Sequence, residues 1–322
     1  MAKPKPHGLA ADSDATLNQF VISSHLDHLL TRLSAWRHGL PTDGQLPTHM
    51  IVTQSGRLRV FDSGSSNPCV VLTPDGPNVI EHYQTLIGLL APTWRVICFD
   101  FPGFGYSLPA PRYTHSLDDG AGAVLAVLDA LGIRRAALAF SCANGFYALR
   151  TAQVAPQRIT HVVLSQTPSM AAMHAWKRRI IPWLVSVPIL GQAGFWLVRK
   201  RSAHGWYDSA LPLGIPRQPF RRIAQRAFDH GACWCLAGIT QGLAREDVHA
   251  LRGVKTPCTL IWGPKDRSHR HTDPQSLRDI VPHAEILNFA GCGHFPELEQ
   301  PGRFAELLAA LPKPLVDAPR HG

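Results

Sequence analysis

The apolar positions from His49 to Pro312 form short buried runs that alternate with longer helix-like segments. Residues 49–64 alternate apolar with polar around Ser55-Gly56, which predicts a β-hairpin. The later runs are too short for helices and are typical of strands buried on both faces; they are "CVVLT", "RVICFD", "AALAF", "ITHVVLSQ", "CTLIWG" and "AEILNFAG". Helical segments lie between and after them, including "YQTLIGLLA", "LDDGAGAVLAVLDALGI" and "PGRFAELLAALP". Strands that alternate with helices predict an α/β fold with a doubly wound, mostly parallel sheet.

Two segments depart from this rhythm and define the predicted domain organisation. Residues 171–252 interrupt it with the apolar stretch "IIPWLVSVPILGQAGFWLV", in which two prolines and a Gly-Gln pair argue against a membrane span. We interpret this segment as a helical lid over a pocket. Residues 1–45 form an N-terminal extension with an amphipathic helix, and residues 46–170 and 253–322 form the α/β core.

The predicted N-terminal helix covers residues 15–37. Its apolar residues recur at near-helical spacing, and we expect this apolar face to pack on the core, with a dimer contact or a membrane contact as the alternatives. The residues are Leu17, Phe20, Val21, Leu26, Leu29, Leu30, Leu33 and Trp36.

Composition narrows the class of protein without naming its activity. The chain has 322 residues with 45% apolar content, enough for one large domain with an insertion. Its start has basic residues without an apolar run behind them, so we expect no secretory signal and a cytoplasmic location. The seven cysteines are scattered and odd in number, which favours reduced, mostly buried thiols. The Cys233-Trp-Cys235 spacing does not suit a zinc site, and we expect no metal.

Charge is concentrated in the predicted lid. The chain carries a net charge of +9, and residues 171–252 hold twelve Lys and Arg against four Asp and Glu. This excess is explained either by a solvated face or by a surface for an anionic substrate, carrier protein or lipid headgroup. We expect no nucleic-acid partner, because the basic residues are not interleaved with aromatic ones in a nucleic-acid motif.

Four short motifs occur at the ends of predicted strands. They are "LAFSCANGFYALRTA" at residues 138–152, "FDFPGFGYS" at 99–107, "IWGPKDRS" with Asp266, and "GCGHFPELEQPGRF" with His294. Their order along the chain, a strand-to-helix turn, then an acid, then a histidine, resembles the α/β-hydrolase fold superfamily over residues 49–312. The resemblance implies a nucleophile at the turn, His294 as its base and Asp266 as the carboxylate that orients the imidazole.

The turn offers two candidate nucleophiles. An ungapped comparison of "LDALGIRRAALAFSCANGFYAL" with the family pattern puts Cys142 at the nucleophile position. The family also favours small residues two before and two after the nucleophile, which Ser141 satisfies with Ala139 and Ala143. Both therefore remain candidates, with Cys142 favoured by the register.

The loop after the strand "CVVLT" also departs from the family pattern. Where the family has a His-Gly pair that helps to form the oxyanion hole, this chain has Asp75-Gly76 between two prolines. A carboxylate there repels a developing oxyanion, so we expect Asp75 to be turned away or to take part in proton transfer. Together with the backbone of Ala143, Asp75 and Gly76 are the predicted oxyanion and pocket residues.

These features predict an enzyme with a Cys-His-Asp triad that acts on an ester or thioester of an apolar acyl group. The reaction would be that of a thioesterase or an acyltransferase, and the acyl group is expected on a small molecule or on an anionic carrier. A cofactor-free lyase or isomerase on the same scaffold, and a non-catalytic ligand-binding protein, remain as alternatives. No cofactor is predicted, because the sequence has no phosphate-binding glycine loop.

Overall fold

The computed structural model describes residues 9–38 and 46–312. The strands in these ranges are β1 (Thr48–Thr53), β2 (Gly56–Asp62), β3 (Cys69–Thr73), β4 (Arg95–Phe99), β5 (Phe104–Gly105), β6 (Leu108–Pro109), β7 (Ala136–Ser141), β8 (Ile159–Ser165), β9 (Cys233–Trp234), β10 (Cys258–Trp262) and β11 (Glu285–Asn288). The α-helices are α1 (Leu9–His38), α2 (Gln84–Leu90), α3 (Leu117–Ala130), α4 (Asn144–Val154), α5 (Met170–Ile180), α6 (Leu190–Ala210), α7 (Gln218–Asp229), α8 (Leu236–Ala244), α9 (Pro296–Glu299) and α10 (Pro301–Ala310).

One mixed sheet organises the molecule. Its order in the described ranges is β1-β2-β4-β3-β7-β8-β10-β11, with β6 beside β2. The strands from β4 to β11 in this order are parallel, whereas β2 is antiparallel to both of its main-sheet neighbours, β1 and β4. Successive residues of β3 face opposite cores: Val71 packs in one and Val70 and Leu72 in the other. The predicted fold class is therefore confirmed.

Helix α1 is present, but the prediction that its apolar face packs on the core is wrong. The side chains that it buries are polar: Ser23, Ser24, Asp27, Thr31 and Ser34. Several of its large apolar side chains are exposed instead: Val21, Ile22, Leu29, Leu33 and Trp36.

Hydrogen bonds explain this inverted packing of α1. Ser24 Oγ donates to the Pro111 carbonyl at 2.9 Å, and Ser23 Oγ accepts from the Ile189 N–H at 3.1 Å. The helix therefore meets a loop carbonyl and a helix-end N–H, and its serine side chains hydrogen-bond to both. Residues 1–8 and 39–45 of the predicted extension, the side chain of Leu17 and residues 313–322 lie outside the described residues.

The segment between β8 and β10, here called the inserted segment (residues 170–252), contains α5, α6, α7, β9 and α8. It is joined to the core by an antiparallel pairing of β9 with β5. Its apolar stretch is divided between a short 3₁₀ helix at Trp183–Ser186 and the first half of α6. No helix in the described ranges combines the length and hydropathy that a membrane crossing requires.

Candidate active site

Cys142 lies at the crest of the sharp turn between β7 and α4. Its φ of 51° falls in the left-handed region, which is rare for a residue other than glycine. Neighbouring backbone holds this conformation: the Cys142 N–H donates to the Ser165 carbonyl at 2.7 Å, and the Cys142 carbonyl accepts from Thr167 Oγ1 at 2.8 Å. A Cβ added to Gly145 would lie 2.2 Å from Thr167 Oγ1, so this turn requires glycine there.

Ser141, the other candidate nucleophile, is the last residue of β7 and has a different environment. Its hydroxyl donates to Glu297 Oε1 at 2.6 Å, and the Tyr83 hydroxyl donates to the same oxygen at 3.0 Å. All three residues are buried, and burial raises the pKa of Glu297. Ser141 is thus part of a hydrogen-bond network beneath the turn, while Cys142 lines the cavity above it.

Phe140 and Asn144, two positions before and two positions after Cys142, also fit into the structure around the turn. The Phe140 ring packs edge-on against the Phe101 ring, with centroids 5.8 Å apart. The Asn144 amide donates to the Pro74 carbonyl at 3.1 Å and so ties α4 to the loop that carries Asp75. A large side chain at either position therefore does not obstruct the turn.

His294 and Asp266 form a tight buried pair next to Cys142. Asp266 follows β10, His294 lies on the loop before α9, and His294 Nδ1 and Asp266 Oδ2 are 2.6 Å apart. Burial opposes ionisation of Asp266, but the His294 ring and the Ser268 hydroxyl stabilise its charge and lower its pKa to about 2. Asp266 therefore remains ionised at neutral pH.

Sequence reasoning missed the residues that orient this pair. The Gln166 amide donates to Asp266 Oδ2 at 2.8 Å, and the Ser268 hydroxyl donates to Oδ1 at 2.7 Å. The His269 ring stacks on the His294 ring at a centroid distance of 5.4 Å, and burial lowers the pKa of His269 to about 3, so this neighbour is neutral. Sequence reasoning also missed Glu297, three residues after His294 in "HFPE". Nothing in the sequence joins it to Ser141, its hydrogen-bond partner in the structure.

Asp75 contacts the other nitrogen of His294. Asp75 Oδ2 lies 3.3 Å from His294 Nε2, and these atoms and the Cys142 sulfur all lie within 4.8 Å of one another. The side chain is buried, so it is not turned out to solvent. A role of Asp75 in proton transfer stays a prediction.

The two carboxylates give the site an unusual charge distribution. Burial alone would lower the pKa of His294, but Asp266, Cys142 and Asp75 together raise it well above its ordinary value. Burial raises the pKa of the Cys142 thiol to about 11, and the Asp75 carboxylate adds to this shift. Burial also raises the pKa of Asp75, and the hydrogen bond between Asp75 and His294 partly offsets this increase. The site thus favours an imidazolium between two carboxyl groups beside a neutral thiol.

The cavity above Cys142 is small and apolar. Its volume is about 100 Å³. Aromatic side chains of the inserted segment form much of its wall, and Lys177 is the cation on its edge. Besides Lys177, the lining residues are Asp75, Gly76, Phe104, Cys142, Ala143, Met173, His174, Trp176, Ile181, Trp206, Trp234, Leu236, Ile239, Thr240, Leu243 and Ala244.

Gly76 and Ala143 contribute backbone to the cavity beside the sulfur. A Cβ at Gly76 would lie 2.5 Å from Trp234 Nε1, so only glycine lets the indole approach this closely. The Ala143 N–H lies against the Cys142 thiol and favours its ionised form. This N–H, at the start of α4, can stabilise negative charge beside the sulfur, and its role as an oxyanion donor stays a prediction.

Two groups of side chains in the described ranges bring potential metal ligands together. They are Asp75-Cys142-His294 and Asp266-His269-His294, each with its ligand atoms within 4.8 Å. His294 belongs to both, and its two ring nitrogens are already engaged by carboxylates. The expectation that the site works without a metal stays a prediction.

Comparison with known proteins gives the family. Residues 70–307 match the Alpha/beta hydrolase family. The chain is 25% identical over 281 residues to 2-hydroxymuconate semialdehyde hydrolase of Pseudomonas sp. (strain CF600), covering 80% of this chain and 91% of the relative. It is 23% identical over 270 residues to cis-3-alkyl-4-alkyloxetan-2-one decarboxylase of Shewanella oneidensis, covering 77% and 82%.

A solved structure agrees at the level of the fold. Epoxide hydrolase A of Mycobacterium thermoresistibile superposes with a TM-score of 0.68 at 13% identity, covering 83% of this chain and all of that one. Together with the match over residues 70–307, this shows that the chain is an enzyme of the alpha/beta hydrolase family.

Proposed function

We propose that this enzyme forms an acyl-cysteine on Cys142 from a thioester or ester of a small apolar acyl group and then passes the acyl group to water. The observation that carries the proposal is the position of the Cys142 sulfur, at the crest of the turn, beside His294 and Asp75 and below an apolar cavity. A thiol with a pKa of about 11 needs a proton acceptor at the moment of attack.

Asp75 is the proposed acceptor. The sequence led us to expect His294 to take the proton, but an imidazole held as the cation between Asp266 and Asp75 has no free lone pair. The thiol proton therefore passes to the Asp75 carboxylate, while the imidazolium stabilises the thiolate that forms. The sulfur attacks the acyl carbon, a carbon–sulfur bond forms, and the carbonyl oxygen becomes an oxyanion facing the Ala143 N–H.

The protonated Asp75 then completes the cycle. When the tetrahedral intermediate collapses, the bond to the leaving thiolate or alkoxide breaks, and that group takes the proton from Asp75. In the second half, water gives a proton to Asp75 and its oxygen attacks the acyl-cysteine. The carbon–sulfur bond breaks, and Cys142 recovers its proton from Asp75. The leaving group carries away the thiol proton in the first half-reaction and water replaces it in the second, so the full cycle restores the protons on the enzyme.

The cavity limits the acyl group. A volume of about 100 Å³ is smaller than the ~150 Å³ apolar cavity that holds benzene in another protein. We therefore propose a short, unbranched acyl chain as the preferred substrate in this conformation, rather than a long or aromatic one. Trp176, Trp206 and Trp234 form the wall that sets this limit.

Intact-mass spectrometry after brief exposure to acetyl, butanoyl, octanoyl and benzoyl thioesters tests the proposal. We expect a single acyl adduct on Cys142, most abundant with butanoyl, and none in Cys142→Ala. An adduct on any other residue, or turnover without an adduct under rapid quench, would contradict the acyl-cysteine.

A second candidate function has one observation in its favour. The neighbouring Asp75 and His294 form a buried carboxylate–imidazolium pair, which can move a proton without covalent catalysis. The relative from Shewanella oneidensis is described as a decarboxylase. A cofactor-free lyase or isomerase would turn over its substrate when Cys142 is replaced by serine or alanine, which separates it from the acyl-cysteine enzyme. A ligand-binding protein would show neither turnover nor an adduct.

Lys177 gives a further prediction about the substrate carrier. It is the cation at the edge of the cavity, so it is placed to attract an anionic carrier such as coenzyme A. In Lys177→Gln we expect KM for a coenzyme A thioester to rise roughly fivefold at 0.01 M salt and less at 0.15 M, since salt screens the attraction. KM for the neutral N-acetylcysteamine thioester of the same acyl group should stay constant. The matched control is Arg222→Gln, because Arg222 is an exposed arginine of the same segment that is not among the cavity residues. An equal change of KM in both variants would show that Lys177 does not recognise the carrier.

A further inference from the structure

The inserted segment exposes a cluster of large apolar side chains near the cavity. Trp183 is 77% exposed and Leu197 is 83% exposed, values unusual for side chains of this size in a folded chain. We call the cluster the apolar face; it consists of Ile180, Trp183, Leu184, Leu190 and Leu197.

The apolar face draws its residues from the end of α5, the 3₁₀ helix and α6. A Cβ at Gly194 would lie 3.9 Å from Leu184 Cδ2, so the 3₁₀ helix packs on the first turns of α6. Leu190 and Leu197 are two helical turns apart on α6 and project on one side of it. Ile180 ends α5 immediately before the 3₁₀ helix. Leu184 therefore lies against the helix that carries Leu190 and Leu197, and Trp183 is its neighbour in the chain.

Positive charge flanks the residues of the apolar face along the chain. Arg178 and Arg179 precede it and Arg201 follows it, and all three are exposed. No Asp or Glu occurs between Ala171 and Tyr207 in the sequence. An exposed indole and leucines bordered by arginines match an anionic lipid surface, where apolar side chains enter the headgroup region and arginines bind phosphates.

The same charge argues against a second copy of this chain as the occupant. A twofold contact pairs a surface with itself, so Arg178, Arg179 and Arg201 of each copy would be brought together without acidic partners from the same region. Repulsion between like charges opposes such a contact, whereas an anionic bilayer neutralises them.

We propose that the apolar face docks this enzyme on anionic lipid bilayers, with the cavity edge at the membrane surface. Lys177 and Ile181, which line the cavity, flank Ile180 in the chain, so the edge of the cavity adjoins the face. Helix α1 borders the same region, because Ser23 Oγ accepts from the Ile189 N–H. This inference concerns location and does not depend on the chemistry proposed for Cys142.

Vesicle flotation of the full chain tests the docking. With phosphatidylcholine vesicles containing 30% phosphatidylglycerol, we expect binding that weakens as salt rises from about 0.01 to 0.15 M and is far weaker on pure phosphatidylcholine. Trp183→Ser should lower the partition coefficient roughly tenfold, since the indole supplies much of the inserted area. The matched control is Leu213→Ser, because Leu213 is also 82% exposed but follows the opposite end of α6.

Charge is tested in a second pair of variants. Replacing Arg178, Arg179 and Arg201 with glutamine should lower binding by about fivefold per residue on anionic vesicles. The control replaces Arg57, Arg112 and Arg222, which are exposed elsewhere and carry the same total charge. Equal losses in both triple variants would reduce the effect to net charge and overturn the proposal.

Two further measurements keep the result unambiguous. Cys142→Ala should bind vesicles like the unmodified protein, which separates docking from catalysis. Sedimentation should show that Trp183→Ser leaves the oligomeric state unchanged. An oligomer that dissociates in Trp183→Ser, without vesicle binding by the unmodified protein, would assign the face to a second copy and overturn the membrane proposal.

Discussion

Replacement of Cys142 by alanine is expected to lower turnover by a factor of a thousand or more, to the level of the uncatalysed reaction. The sulfur is the side chain at the crest of the turn, and the neighbouring Ser141 hydroxyl is not placed to replace it, since Ser141 donates to Glu297. Loss of a covalent nucleophile removes the whole acyl-enzyme route rather than one stabilising contact. Steady-state hydrolysis of the best thioester from the mass-spectrometric panel measures the effect.

Ser141→Ala is the matched control. It should retain at least partial activity and lose about 1–3 kcal/mol of unfolding free energy, because Glu297 then keeps a buried carboxyl group with one partner fewer. Denaturant unfolding measures that loss separately from activity. An inactive but folded Ser141→Ala together with an active Cys142→Ala would move the nucleophile to Ser141.

Asp75→Asn is expected to have opposite effects on two properties of Cys142. Turnover should fall by about a hundredfold to ten-thousandfold, because the amide cannot accept the thiol proton. Alkylation of Cys142 by iodoacetamide near pH 8 should instead become roughly tenfold faster, because the Asp75 charge contributes to the raised thiol pKa of about 11 and its removal increases the thiolate fraction. Mass spectrometry of the alkylated peptide against time gives the rate.

His294→Ala separates these two effects. It should lose turnover by about a thousandfold and should also alkylate more slowly, because the cation that favours the Cys142 thiolate is gone. Cys142→Ala supplies the background, since all seven cysteines in the described ranges are buried. If Asp75→Asn lowered alkylation and turnover together, Asp75 would be a structural support of the turn and not the proton acceptor.

The pH dependence of the folding stability follows from the pKa shifts of Asp266 and His294. Asp266 has a folded pKa of about 2, below its ordinary value, so its contribution to stability is present above pH 4 and is lost as the pH falls toward 2. His294 has a raised pKa, so its contribution is complete below pH 6.5 and is lost as the pH rises through the folded value. The ion pair therefore stabilises the fold most between about pH 4 and 6.5.

Helix α1 shows that a correctly predicted periodicity does not tell which face of a helix is buried. Leu29, Leu33 and Trp36 do lie on one side of a helix, as their spacing predicts, but that side faces solvent. Spacing fixes which residues share a face, while the surface that receives the helix decides which face is buried. Here that surface offers the Pro111 carbonyl and the Ile189 N–H, which serines satisfy and leucines do not.

The local sequence determined the order of strands and helices, the fold class and the strand ends from which Cys142, Asp266 and His294 come, because periodicity and the carboxyl-edge rule act over short stretches. Only the tertiary structure decided that Ser141 donates a hydrogen bond to Glu297, that Asp75 contacts His294, and that the His294 imidazole lies between two carboxyl groups. These contacts join residues 156, 219 and 28 positions apart. Their energies depend on burial and on the distances between charges, and both arise only when the chain has folded.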